Sequence, residues 1–371
     1  MSCNDLRYWI GFNKAPGIGA IRLRALLDHF GTIEAAWKAP ARDLHGAGLD
    51  ERSVENLLAV RRELNLEAEI QKLARHQVQV LTWDDAGYPH NLREVYAPPP
   101  VLYVRGKVEA HDDFSVAVVG TRRASVYGKE AARMIGQGLA RASVTVVSGL
   151  AMGIDTVAHQ ACIDAGGRTI AVLGCGVDVV YPAQNGRLAA SIVEHGALVS
   201  EYALGTRPDA RNFPPRNRII SGLSLGTVVV EADMGSGARI TADFAAEQGR
   251  DVFAVPGNIF ARGCQGTNRL IREGAKMVCA VSDILEELNL TMVGEQTQAR
   301  AVIPENPTEA SLLAHLSSEP VHVDELGRAV GLPIAQVSST LALMELKGMV
   351  RQVGGMNYVL ARESRAGYVI E

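Results

Sequence analysis

The 371-residue sequence contains no apolar run of transmembrane length, and its start, Met1-Ser2-Cys3-Asn4-Asp5, lacks the basic and then apolar pattern of a secretory signal. These absences predict a soluble, cytoplasmic chain with no membrane association. Cysteine is scarce: Cys3, Cys162, Cys175, Cys264 and Cys279 form no C-x-x-C pair, which argues against a zinc ribbon or a disulfide framework and predicts small buried hydrophobes. The nine histidines show no H-E-x-x-H or comparable spacing, so no metal site is expected. A Walker-type G-x-x-x-x-G-K-[ST] is missing as well. The one tight G-x-G, Gly174 to Gly176, lacks a third glycine and opens onto Val177-Asp178-Val179-Val180-Tyr181-Pro182 instead of a helix, so no nicotinamide or flavin cofactor is expected. Gly222-Leu223-Ser224-Leu225-Gly226 has the spacing of a nucleophile elbow, but a helical segment precedes it and a strand follows, the reverse of the order a hydrolase serine needs. Strong positive charge is also absent. With a formal net charge of -4, a nucleic-acid partner would require basic residues gathered locally.

What is present is a core-forming chain, 47% hydrophobic, organised around Ser115-Val116-Ala117-Val118-Val119-Gly120-Thr121-Arg122-Arg123. So short a valine-rich run predicts a strand buried on both faces, as in parallel sheets. Ser125 can cap the helical pattern after it, which makes a βα unit with Arg122 in its turn. Ligands of open α/β sheets bind outside the carboxyl ends of the strands, and an arginine there points to a phosphate. Apolar strands then alternate with helical patterns to about residue 288: strands are expected at 144–148, 169–173, 197–201, 227–231 and 252–255. That alternation predicts a doubly wound parallel sheet. Several of these strands end in small residues, among them Ser148-Gly149, whose rim would let a ligand backbone come close.

Four segments follow from the rest of the pattern: an all-α domain at 1–77, the α/β core at 78–290, a linker at 291–307 and a second small domain at 308–371. In the first, Gly17-Ile18-Gly19 leads into an amphipathic helix, the pattern of a helix-hairpin-helix able to hold a phosphate; the same glycines serve equally well to cap and join helices of a small bundle. Basic residues outnumber acidic ones only 11 to 10 over residues 1–80, which argues against strong duplex binding there. Strands at 78–82 and from 101, joined by a proline-rich connection that stops any helix, extend the sheet ahead of the core. In the tail, two helical patterns broken at Gly331-Leu332-Pro333 and a hairpin at 349–360 predict a winged helix.

The richest stretch is 206–223, where Arg207, Arg211, Arg216 and Arg218 stand against Asp209 alone, with Phe213 among them. Arginine for phosphates and an aromatic for bases is the combination of single-stranded nucleic-acid sites. At this point the chain resembles the DNA-processing DprA (Smf) family, the recombination mediators of natural transformation. The likeness runs through Gly120-Thr121-Arg122, Ser148-Gly149-Leu150-Ala151-Met152-Gly153-Ile154-Asp155 with His159, Gly174-Cys175-Gly176 with Tyr181-Pro182, Phe213-Pro214-Pro215-Arg216-Asn217-Arg218, and Gly266-Thr267-Asn268. The resemblance implies an extended Rossmann core that dimerises and holds single-stranded DNA, a helix-hairpin-helix or SAM-like N-terminal domain, and a winged-helix tail. It also implies loading of the RecA recombinase onto DNA coated by single-strand-binding protein. Carried over as site residues are Gly120, Thr121, Arg122, Ser148, Gly149, Asn217 and Arg218, with Phe213 as the base-stacking group and Arg207 or Arg211 as the cation before it. A wider superfamily of phosphoribohydrolases shares such a core, but their Pro-Gly-Gly-x-Gly-Thr-x-x-Glu loop is not reproduced at 231–243, so binding without catalysis is expected.

Overall fold

The computed structural model describes residues 3–290, 307–316, 320–346 and 350–360. The chain divides into two compact units, Met1–Gly294 and Glu295–Glu371. The expected linker at 291–307 lies outside the described residues apart from Pro307. Among the described residues, no helix is long and apolar enough to cross a membrane.

The first unit opens with six helices: α1 (Cys3–Asn13), α2 (Ala20–Phe30), α3 (Ile33–Lys38), α4 (Ala41–Gly46), α5 (Glu51–Glu63) and α6 (Leu66–Arg75). Their starts are chemically marked, because Thr32, Asp50 and Asn65 each accept a backbone N–H of the first turn of α3, α5 and α6. The bundle buries Trp9, Phe12, Leu23, Leu26, Leu44 and Leu57, and its core is continuous with one face of the sheet that follows. Polar bonds fix the same contact: the Tyr103 hydroxyl donates to Asn13 Oδ1 (3.0 Å), and the Asn13 amide donates to the carbonyl of Glu201 (3.0 Å).

The sheet begins with β1 (Val78–Thr82), then a single turn of helix, α7 (His90–Arg93), and β2 (Val101–Gly106). That turn was not expected from the prolines; it forms because Pro89 stands just before it, where no helical N–H is needed. The alternating part runs β3 (Ser115–Val119), α8 (Val126–Arg141), β4 (Thr145–Ser148), α9 (Ile154–Asp164), β5 (Thr169–Val172), α10 (Gly186–His195), β6 (Gly196–Ser200), α11 (Phe213–Leu223), β7 (Gly226–Val229), α12 (Gly237–Glu247), β8 (Asp251–Ala254), α13 (Gln265–Arg272), β9 (Lys276–Met277) and α14 (Val281–Glu287). Strand order is β1-β2-β6-β5-β4-β3-β7-β8-β9, parallel from β6 to β9, with β1 and β2 added antiparallel at one edge. This is the expected doubly wound, extended Rossmann sheet. Only β9 escapes the sequence pattern, since two residues are too few to show a period.

β3 shows why the valine run fixes the centre. Val116 and Val118 enter the core on one face and Ala117 and Val119 the core on the other, so every residue of the strand is buried. Full burial of each valine contributes about 1.5–3 kcal/mol. Ser125 caps α8 as expected, accepting from the N–H of Gly128 at 3.0 Å.

In the second unit, helices Pro307–Ala314, Val323–Val330 and Ile334–Leu346 pack with a three-stranded sheet of β10 (Val321–His322), β11 (Val350–Gln352) and β12 (Asn357–Leu360), ordered β10-β12-β11. Gly331, in the left-handed region at φ 70°, ends the second helix where the Gly-Leu-Pro break was expected. The arrangement is a winged helix.

Candidate nucleic-acid interface

From β3 the chain winds outward through β4, β5 and β6, then returns to the other side of β3 to build β7, β8 and β9. The loops leaving β3 and β7 therefore part at their carboxyl ends, and a cavity of about 600 Å³ opens there. Its wall includes Thr121, Arg122, Tyr181, Phe213, Asn217 and Ser236. The N-terminal turns of α9, α11 and α12 also reach it, and their dipoles favour an anion. Ionic side chains add to this field, with Arg122, Arg123 and Arg216 against Asp155 and Asp233.

The Gly-Thr-Arg turn is held from beneath by glycines. Gly153, at φ 88°, presses against it so closely that a Cβ there would lie 2.3 Å from the carbonyl oxygen of Thr121. The Thr121 N–H donates to the carbonyl of Glu231 (2.7 Å), and Ile154 N–H donates to the carbonyl of Thr121 (3.2 Å). The Glu231 carboxylate is turned away from the cavity: it accepts from the N–H (2.9 Å) and hydroxyl (3.2 Å) of Ser125 and is boxed in by Gly128 and Gly263.

Beneath the cavity lies a buried polar layer. Arg216 is almost wholly enclosed, and its guanidinium donates to the carbonyls of Gly149 (2.9 Å) and Val172 and to Asn217 Oδ1 (3.2 Å). Burial pulls its pKa down to about 10, against the opposing pull of Asp155. Asp155 accepts the N–H groups of Gly149 (3.1 Å) and Ala151 (3.3 Å); burial raises its pKa, and the Arg216 charge works against that rise. Gly149 sits between the two, where a Cβ would be 2.7 Å from Arg216 Nη2 and 2.9 Å from Asp155 Oδ2. Below them His159, fully buried, bonds Thr169 Oγ1 at 2.6 Å, and burial depresses its pKa to about 3.

On this floor stands an aromatic pair. The ring of Phe213 stacks on Tyr181 with centroids 5.6 Å apart and planes 27° apart. The guanidinium carbon of Arg122 lies 5.6 Å from the Phe213 centroid and that of Arg216 lies 5.9 Å from it. Arg122 is exposed and has no carboxylate partner among the described residues.

The structure thus brings Gly120, Thr121, Arg122, Phe213 and Asn217 to one cavity. Other residues expected there are placed elsewhere. Arg218 turns to the opposite side of α11, where it pairs with Glu201 and donates to the carbonyl of Ala97 (3.2 Å). The expectation that it shares the mouth with Phe213 is corrected by the helix: 206–223 is not one loop, α11 begins at Phe213, and five residues on is roughly 140° around the helix. Ser148 is wholly buried, its hydroxyl donating to the carbonyl of Val118 (2.6 Å), and Gly149 is buried with its N–H engaged by Asp155. Both shape the floor, and neither lines the cavity. Arg211 is exposed and forked onto Asp209, and Arg207 is exposed and does not line the cavity. Arg216, Tyr181 and the turn Ser236-Gly237-Ala238 had not been assigned to the site. For Arg216 a signal existed, since i to i+3 spacing from Phe213 puts both on one helical face.

Comparison with known proteins shows the family and the fold. Residues 79–289 match the family model described as DNA recombination-mediator protein A, and residues 296–356 match the DprA winged helix domain. The chain belongs to the DprA family. Protein Smf of Synechocystis sp. is 34% identical over 96% of this chain and 99% of its own length, and Protein Smf of Escherichia coli is 39% identical over 86% and 87%. The X-ray structure of DprA from Streptococcus pneumoniae superposes with a TM-score of 0.68 at 36% identity, covering 76% of this chain and 97% of that one. DprA from Helicobacter pylori, whose structure was described for its single-stranded DNA binding mode, gives 0.51 at 28% identity over 57% and 96%. Membership of the family assigns the chain a DNA-processing role in recombination.

Proposed function

We propose that the chain binds single-stranded DNA in the cavity at the ends of β3 and β7, with little sequence preference, and delivers it to the RecA recombinase. The observation that carries the reading is Arg122, a cation with no carboxylate partner among the described residues, held over a stacked aromatic pair where three helix N-termini converge. A free arginine meets a phosphate through charge-assisted hydrogen bonds, whereas an arginine already paired would first have to give up its carboxylate. The Helicobacter pylori relative, described for its single-stranded DNA binding mode, supports the same substrate. The protein acts by binding and not by catalysis, as a homodimer in the cytoplasm, on strands that single-strand-binding protein coats. The winged helix serves protein contacts, because residues 305–371 carry 8 acidic against 5 basic residues.

The test is a pair of measurements on the wild type and Arg122→Ala. Wild type should prefer single strands to duplex at moderate salt and should accelerate RecA filament growth on coated single strands. The variant should still capture RecA yet lose that acceleration. Equal affinity for duplex and single strand, or turnover of nucleoside monophosphates, would overturn the reading.

A further inference from the structure

Phe213 and Tyr181 differ in how much of each ring remains open. Phe213 is half-buried: Tyr181 stacks on it, the guanidinium groups of Arg122 and Arg216 stand at 5.6 and 5.9 Å, and its Cδ1 approaches Gly174 so closely that a Cβ there would be 2.8 Å away. Tyr181 is 44% exposed, lines the same cavity, and has Phe213 as its ring neighbour among the described residues. No hydrogen bond holds its hydroxyl among those residues either. A nucleobase needs an open aromatic face of about its own size next to a cation that can hold its phosphate. Tyr181 meets the first condition, and Arg122 and Arg123, which line the same cavity as Tyr181, supply the cation of the second.

Building on the single-stranded DNA reading, we propose that Tyr181 is the ring on which a base of the bound strand stacks, with Phe213 as the shelf that fixes its plane. The stack then runs base, Tyr181, Phe213, and Gly174 is glycine because a side chain there would push the shelf outward. Sequence preference stays low, since every base offers a π-face.

The experiment compares Tyr181→Leu and Tyr181→Trp with wild type on two oligonucleotides of equal length, an ordinary oligo-dT and one carrying abasic sites. Both keep the phosphates, so only stacking separates them. Tyr181→Leu should bind oligo-dT about five- to a hundredfold more weakly than wild type and bind the abasic strand equally well, while Tyr181→Trp should retain wild-type affinity on both. Wild-type affinity of Tyr181→Leu for oligo-dT overturns the proposal. An equal loss on both strands overturns it too, by assigning Tyr181 a structural role. A wild-type protein that binds neither strand would refute the DNA reading itself and this inference with it.

Discussion

Two glycine-led turns in this chain look alike in sequence, yet only one presents a free cation. At Gly120-Thr121-Arg122 the arginine is exposed over the cavity and has no carboxylate partner among the described residues. At Gly17-Ile18-Gly19, the hairpin that also suggested a phosphate, Arg22 folds back to donate to the Gly17 carbonyl and Ser53 Oγ (both 2.6 Å) and pairs with Asp50. Both turns lead into a helix, α8 after the first and α2 after the second. The difference lies in the partner already present, which teaches that an anion site is recognised by what its arginine is not bonded to. The same contrast separates Arg216 and Arg218 of α11, which bond to backbone carbonyls and to Glu201, from Arg122, which is exposed on the cavity wall.

The largest expected effect tests the engaged side of that contrast. Arg218→Ala leaves Glu201 largely buried without its partner, and burial already raises that carboxyl against the pull of Arg218. Thermal or urea unfolding should show a loss of about 3 kcal/mol, the lower end for breaking a buried pair. Stability unchanged, with DNA affinity lost instead, would return Arg218 to the ligand site. A smaller effect concerns the layer under the cavity. His159 is neutral when folded, with its pKa depressed to about 3 from an unfolded value of 6.5. Its stabilisation is therefore complete above about pH 6.5 and is lost as pH falls toward 3, by at most about 1.4 kcal/mol per pH unit. Between pH 6.5 and 4, melting temperature should fall more steeply for wild type than for His159→Gln; parallel curves would contradict the buried neutral imidazole. The smallest effect belongs to the hairpin. Arg22→Ala should lower melting temperature slightly and leave single-stranded DNA affinity unchanged, because exposed ion pairs contribute little. A clear loss of DNA affinity would make the hairpin a second contact and erase the contrast.

Much of the fold could be read from the sequence because its periods are strong. The valine run of β3, the alternation after it, the Ser125 cap and the Gly331 break each appear as local chemistry. The two-residue β9 and the single-turn α7 were missed because neither is long enough to display a period. At the site, the Gly-Thr-Arg turn and Phe213 were legible from composition and from their place at strand ends. Arg218 was misplaced because a motif carried over from a family does not say which side of a helix a residue occupies or that Glu201 waits there. Tyr181 was overlooked since its place at the cavity comes with a contact to Phe213, 32 positions on, which no local pattern encodes.

The central claim is that Arg122 is the free cation that meets a phosphate. Its most direct test is the salt dependence of single-stranded DNA affinity for wild type and Arg122→Ala, with melting temperature recorded on the same samples. Removing one phosphate contact should lower affinity about ten- to a hundredfold at moderate salt and reduce the slope of log affinity against log salt by about 0.7, at unchanged melting temperature. An unchanged slope, or a variant that melts early, would contradict the account.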